Sequence, residues 1–336
     1  MIRDDQVTVV VQGDVRPNTA AVLHQIRMTA PGAHIVFSSF NSLVTSAQCA
    51  ALDGLVDEWV SSTDPGALRA TVRSPTAPHN NINRMLLSTT AGLARVCTPY
   101  ALKLRSDAQV DVRAIADLWW QESQGENAQH RLLFPSLYTR HPGGINGYLF
   151  HVSDWLAFGT TAQLRDYWDA PAFGEADAAW FETHAHRAGS TATARRFLAR
   201  LTQEQWIACD YARRHGYQVP VFVNQRSRTL LNSYRAFLAR ECVIADSQQI
   251  GLLVPGHVRA VRSTFQRLDC TSHRDWRREV NAFANARMTP IEPLRFLARS
   301  GRHAIARGIL IRKWFKTKLA ERAAASKKIQ TVNTTC

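Results

Sequence analysis

Acidic residues are scarce in this chain. Its 27 Asp and Glu stand against 41 Lys and Arg, a formal net charge of +14. An excess of that size directs attention to anionic partners. Cysteine is sparse too. Cys49, Cys97, Cys209, Cys242, Cys270 and Cys336 show no zinc-finger or redox spacing. A disulfide framework is therefore not expected, and reduced thiols in a cytosolic protein are. No apolar run reaches the ~18 residues of a membrane span. The opening MIRDDQ enters a strand by Val7 without a segment of signal-peptide kind. Chemical motifs are missing as well: no P-loop, G-x-G-x-x-G, G-x-S-x-G or H-E-x-x-H occurs. ATPase, dinucleotide and hydrolase-elbow readings lose their support, and the twelve histidines read as scattered surface residues.

What is present can build a core. Apolar residues make up 45% of 336 positions, enough for one large α/β domain with an extension or two small domains. The positive charge is uneven. Residues 291–328 hold 11 Lys or Arg and two Glu, so most of the excess belongs to the C-terminus. That stretch mixes the charges with Leu297, Ile305, Ile309, Trp314, Phe315 and Leu319. Such a composition suits an interfacial helix; the plainer reading is a terminal helix with a solvated basic face.

The first 110 residues alternate strand and helix signals. VTVVVQG (7–13) is a β-branched run ending in Gly, as in a strand buried on both faces. Residues 18–30 read as a helix capped by Asn18 or Thr19, 31–40 as a second strand, and 55–62 as a weaker third. NNINRMLLSTTAGLARV (80–96) reads as a helix stopped or interrupted near Gly92, and YALKLRSD follows as a strand. This order predicts a doubly wound, mostly parallel α/β sheet with helices on both faces. In residues 131–150, short strand signals are broken by Pro142-Gly143-Gly144. Residues 151–170 start as a strand and turn helical after Gly159. Residues 201–223 read as a helix capped by Thr202 and stopped by Gly216, then a strand; 226–290 read as mainly helical.

Ligands of such sheets sit beyond the carboxyl ends of the strands. Gln12-Gly13, Ser38-Ser39 and Ser106-Asp107 all fall there. An apolar strand that ends on Arg105-Ser106-Asp107 fits a phosphate site, and Ser and Asp alone would fit a turn. Asn80, Asn81, Asn83 and Arg84 open a helix, where amides and the helix dipole favour anions; Asn81 or Asn83 would reach ribose or base, and Arg84 a phosphate. Ordinary capping accounts for one of these Asn residues.

The series VTVVVQG, NNINRMLLSTTAGL, YALKLRSD, HVSDWLAFG and TQEQWI resembles the WavE family of lipopolysaccharide-synthesis proteins over roughly residues 7–255. The resemblance implies a GT-A-like fold and a glycosyltransferase that uses a nucleotide-sugar. It also implies an Asp-x-Asp element at Arg105, Ser106 and Asp107, where Asp107 survives and Arg105 replaces the other carboxylate. Asp107 would hold a divalent ion, Mg or Mn, or Arg105 would supply the positive charge itself. Glu204, at a helix start before GYQV, is the expected catalytic base, although helix-dipole chemistry also favours an acid there; Asp210 is the weaker candidate. In VSDW, Asp154 would bind a sugar hydroxyl or inherit the base role, and Trp155 would stack on a sugar, unless the pair are a turn cap and a core residue.

The expected organisation is 1–255 for donor and acceptor, 256–290 as a helical extension, and 291–336 as a basic amphipathic tail. The expected partners are a nucleotide-sugar donor, a lipid-linked glycan acceptor and an anionic membrane, at the cytoplasmic face of the inner membrane; no nucleic acid is expected. The rival enzyme, a sugar-nucleotide pyrophosphorylase, would need a Gly-rich N-terminal loop that is missing here. A basic nucleic-acid-binding protein would interleave its charge with aromatics on one surface, not gather it in one tail.

Overall fold

The β-branched run near the N-terminus forms β1 (Val7–Gln12), with every residue buried. In the computed structural model it lies inside a seven-stranded sheet. The structure describes residues 1–285 apart from 43, 75–76, 125–130, 145–147, 192–193 and 255–268. The other strands are β2 (His34–Phe40), β3 (Glu58–Ser62), β4 (Tyr100–Arg105), β5 (Leu132–Pro135), β6 (Leu156–Thr160) and β7 (Cys242–Ala245). Their order is β3-β2-β1-β4-β6-β5-β7, and β6 alone runs antiparallel to its neighbours.

Helices α1 (Thr19–Thr29), α2 (Ser46–Ala51), α3 (Ile82–Ala94), α4 (Val112–Glu122) and α5 (Thr161–Trp168) connect the strands. The pleat assigns them to faces. Val10 and Lys103 sit side by side in register. Gly92 of α3 lies over Val10, and Trp168 of α5 lies 4.7 Å from the Lys103 ammonium. The opposite face carries Phe158, whose ring meets Trp119 of α4 edge-on at 5.7 Å. Helices thus cover both faces, and the expected mostly parallel α/β sheet is borne out. Gly92 does not stop its helix: a Cβ there would stand 2.4 Å from Val10 Cγ1, so glycine lets α3 rest on the sheet.

After β6 come the short helices α6 (Glu175–Ala178) and α7 (Trp180–Thr183), then α8 (Gln203–Arg214), α9 (Arg228–Glu241) and α10 (His273–Asn285). Single bridges, Leu68 with Asn80 and Val72 with Phe197, tie residues 68–80 to the segment before α8. Tyr148, Phe181, Phe197 and Val223 form a small apolar cluster of their own there. This lobe is separate from the main core.

Two readings of the middle and C-terminal parts are corrected. Residues 217–223 form no strand: Pro220 has no N–H to give a ladder, and Val223 N–H donates instead to the Arg200 carbonyl. Within the stretch read as mainly helical, Cys242–Ala245 is a wholly buried strand pairing in parallel with β5. Four apolar residues directly after a helix are too few to show a period. α10 docks on α9 through Trp276 Nε1, which donates to the Leu238 carbonyl at 2.9 Å, and through Arg235–Glu279 at 2.7 Å. Met1–Ala286 forms one compact unit. The boundary read at 255 and the tail from 291 lie outside the described residues.

Candidate active site

The carboxyl ends of β1 and β4 are cross-linked. Ser106 N–H donates to the Gln12 carbonyl at 2.9 Å, and its buried hydroxyl donates to the Asp14 carbonyl at 2.6 Å. Gly13 has φ +120°, and a Cβ there would stand 3.1 Å from Ser106 Oγ. Glycine takes that φ without strain and leaves the Ser106 hydroxyl its room. Asn18 and Thr19, at the start of α1, do not cap it with their side chains. They donate to the Asp107 and Ser106 carbonyls at 3.0 and 3.1 Å. Ser38 donates its hydroxyl to the Ser88 carbonyl at 2.7 Å, anchoring α3. Gln12, Ser38 and Ser106 are all buried. They stand where the sequence placed them, and Ser38 and Ser106 build the rim with their hydroxyls.

Beyond that turn, Arg105 forks onto Asp107: Nε meets Oδ1 at 2.9 Å and Nη2 meets Oδ2 at 2.7 Å. The guanidinium lies over the Trp155 ring at 4.4 Å, so Trp155, 4% exposed, presents a platform to Arg105 where an open face for a sugar was expected. Burial pushes Asp107 up, yet the Arg105 fork and charge hold it below the usual carboxylate range. Burial likewise works against the Arg105 charge, and Asp107, Asp154 and Glu204 overcome it.

Because β6 runs backwards, its beginning reaches this same rim. Leu156 pairs with Leu104, and Arg105 N–H donates to the Trp155 carbonyl at 3.1 Å. Asp154 is thereby set beside Arg105. Burial raises its pKa, and the neighbouring Glu204 raises it further. Below it lies Lys103, fully buried, donating from Nζ to the Asp154 carbonyl. Burial pulls Lys103 down to about 7, against the attraction of Asp154. Lys103 is the sole lysine before Lys313, a signal visible in the sequence and passed over there.

Glu204 occupies the second position of α8. Thr202 and Gln205 form the capping box, with Thr202 Oγ1 accepting from Gln205 N–H. Gln205 also donates to the Leu149 and Val223 carbonyls at 2.8 and 3.1 Å. The helix start is thus fixed by its neighbours, and Glu204 faces inward. Burial raises its pKa, although its own amide, Arg140, Thr202 and Arg105 pull the other way. His151 Nε2 lies 3.5 Å from Glu204 Oε2. Burial, seconded by Arg140, drives His151 down to about 3, so this imidazole is neutral and the contact is no ion pair. Arg140 in turn pairs with Asp269 at 2.6 Å. Tyr138 and Phe150, at φ 66° and 57°, flank this group. Left-handed backbone at aromatic residues is costly and gathers at working sites.

The structure therefore brings Arg105, Asp107, Asp154 and Glu204 to one rim. It uses the Asn80–Arg84 set differently. Arg84 forks onto Asp64 at 2.7 and 2.6 Å and reaches Asn81 at 3.0 Å. Asn83 exchanges two hydrogen bonds with the Phe173 backbone. Lys103, Arg140 and His151 were not singled out in the sequence; the latter two are joined to the rim only by the tertiary fold.

A divalent ion does not fit the donor set as it stands. Both Asp107 oxygens are taken by Arg105, and no group of three ligating side chains gathers among the described residues.

The sequence profile of a family described as WavE lipopolysaccharide synthesis matches residues 7–310. Among solved structures, an active-site mutant of LgtC is similar at 11% identity, over 72% of this chain and 73% of that one, with a TM-score of 0.34. The galactosyltransferase LgtC with donor and acceptor sugar analogues is similar at 12% identity, over 72% and 74%, with a TM-score of 0.32. HddC from Yersinia pseudotuberculosis is similar at 10% identity, over 48% and 79%, with a TM-score of 0.28. Likeness of this depth says nothing of activity. No curated protein matches.

Proposed function

We propose that this chain, which belongs to the WavE lipopolysaccharide-synthesis family, is a glycosyltransferase that moves a sugar from a nucleotide-sugar onto a bacterial surface glycan. The observation that carries the reading is the meeting of a forked arginine and two half-buried carboxyl groups at one sheet edge. Arg105, fixed in orientation by Asp107 and Trp155, binds the donor diphosphate. The acceptor hydroxyl oxygen attacks the anomeric carbon. The bond from that carbon to the diphosphate oxygen breaks, the acceptor proton passes to Glu204, and the nucleoside diphosphate leaves with its charge on Arg105. A raised pKa makes Glu204 a stronger base than an exposed glutamate. Asp154 holds a sugar hydroxyl, and Lys103 fixes the backbone that carries Asp154. Gly13 leaves the turn after β1 open on the nucleotide side of the rim.

Residues 1–255 hold donor and acceptor, and the basic tail from 291 rests on the anionic cytoplasmic face of the inner membrane. No helix among the described residues is long and apolar enough to cross a membrane. The test is a calorimetric and hydrolysis screen of UDP-, GDP-, ADP- and CMP-sugars. One donor bound and slowly hydrolysed is expected. A chain that binds none of them, or that makes nucleotide-sugar from a sugar phosphate and a nucleoside triphosphate, is not this transferase.

A further inference from the structure

Several arginines of the lobe before α8 have no ion-pair partner among the described residues. Arg73 N–H donates to the Arg196 carbonyl at 2.6 Å, and Arg196 Nε donates back to the Arg73 carbonyl at 3.3 Å. Arg195 precedes this crossing. His186 stacks on Phe181 at 4.0 Å, and Phe181 N–H donates to the Leu198 carbonyl, so the imidazole stands beside the crossing. Burial first, then Arg195 and Arg73, lower its affinity for a proton. Nearby, Arg187 donates to the Asn224 carbonyl at 3.4 Å and Arg226 to the Pro142 carbonyl at 2.9 Å. Burial and Arg187 both weigh against the Arg226 charge.

Neighbouring carboxylates are already engaged: Glu182 by Arg69 at 2.7 Å, and Asp177 by Arg200 at 3.1 Å. No ion pair among the described residues includes Arg73, His186, Arg187, Arg195, Arg196 or Arg226. Like charges gathered this way repel one another, and a solvated surface ordinarily mixes its signs. The cost is recovered when a multiply charged anion arrives, and planar guanidinium forks match phosphate oxygens in pairs. The lobe also abuts the rim. Phe197 meets Tyr148 edge-on at 5.6 Å, Tyr148 stacks on His151 at 6.3 Å, and His151 reaches Glu204.

We propose that Arg73, His186, Arg187, Arg195, Arg196 and Arg226 bind phosphate groups carried by the acceptor glycan, holding the part of it away from the attacking hydroxyl. This rests on the transferase reading. It adds that the acceptor is phosphorylated and that the enzyme measures it.

The test is calorimetric titration of the full chain with a hexose disaccharide bearing two phosphates, with the same disaccharide unphosphorylated, and separately with nucleoside diphosphates. The phosphorylated sugar should bind at least about ten-fold more tightly, and added salt should weaken it. It should also shift the His186 ring resonances. Arg195→Gln, at an exposed position, should lose about ten-fold of that affinity, and Arg73→Gln/Arg195→Gln more, with nucleoside diphosphate binding unchanged. Equal binding of the two disaccharides, or unchanged affinity in both variants, overturns the proposal. So does a loss confined to phosphatidylglycerol vesicles, which would make the face a membrane contact. Failure of nucleoside diphosphate binding in the unaltered chain strikes the transferase reading instead, since the disaccharide titration contains no nucleotide.

Discussion

A carboxyl group in the first turn of a helix is ordinarily held ionised by the helix dipole. At Glu204 burial outweighs that and raises the pKa. A raised acid stabilises the fold only at pH below its unfolded value, and that contribution is lost as pH rises through the folded value. Near neutrality Glu204 therefore burdens the fold. Glu204→Gln should lower the transfer rate by ~10²–10⁴-fold, leave donor affinity unchanged, and keep or raise the melting temperature. The acid limb of the rate profile should lie above that of an exposed glutamate and vanish in this variant. A fall in melting temperature with an intact rate would mark Glu204 as structural. Lys103 has the opposite sign. Its pKa is pulled down to about 7, so its contribution is full above the ordinary lysine value and lost as pH falls toward 7. Denaturant unfolding of the unaltered chain should gain on Lys103→Met by up to ~1.4 kcal/mol per pH unit between pH 7 and 9; parallel curves would refute a neutral Lys103. Arg105→Met should weaken nucleoside diphosphate binding, and EDTA should leave transfer intact. Activity lost to EDTA and restored by Mg²⁺ or Mn²⁺ would return the diphosphate to an ion at Asp107.

Among the elements, α8 shows how a cap serves chemistry. Thr202 and Gln205 close the box, and Gln205 ties it to Leu149 and Val223, so Glu204 needs no part in starting its own helix. Thr202→Ala should cost ~0.5–2 kcal/mol in unfolding free energy and lower kcat more than KM, while Thr202→Ser should restore both. Stability lost at full kcat would separate cap from catalysis. This helix, its cap and its Gly216 stop were all legible in the sequence, because capping is local chemistry. So were β1 to β4 with α1 and α3, whose β-branched runs and glycines carry the signal over short distances; α2, six residues long, was not. β7 was not, since four buried residues have no period. Nor were the Asn81, Asn83 and Arg84 partners: Asp64 and the Phe173 backbone are brought to them by the fold alone. Arg105, Asp107, Asp154 and Glu204 were legible as residue types at strand ends and helix starts, and their meeting needed the reversed strand.

Over the whole molecule, charge and core are separately placed. The compact unit ends at Ala286, and the densest run of Lys and Arg follows it. A chain ending at Ala286 should bind the donor as the full chain does and fail to sediment with phosphatidylglycerol vesicles, and raised salt should release the full chain from them. Equal sedimentation of the two would dismiss the tail as an anchor. The pairing of β5 with β7 has a consequence in time. β1 to β4 assemble from neighbouring stretches of chain, but Leu132 waits for Cys242 before its strand is covered on that side. Closing so long a loop is slow compared with local contacts. On a ribosome, the diphosphate edge would exist while α8 and its glutamate were still being made. The rim is then completed late, once α8 has been made and Glu204 joins Arg105 and Asp154.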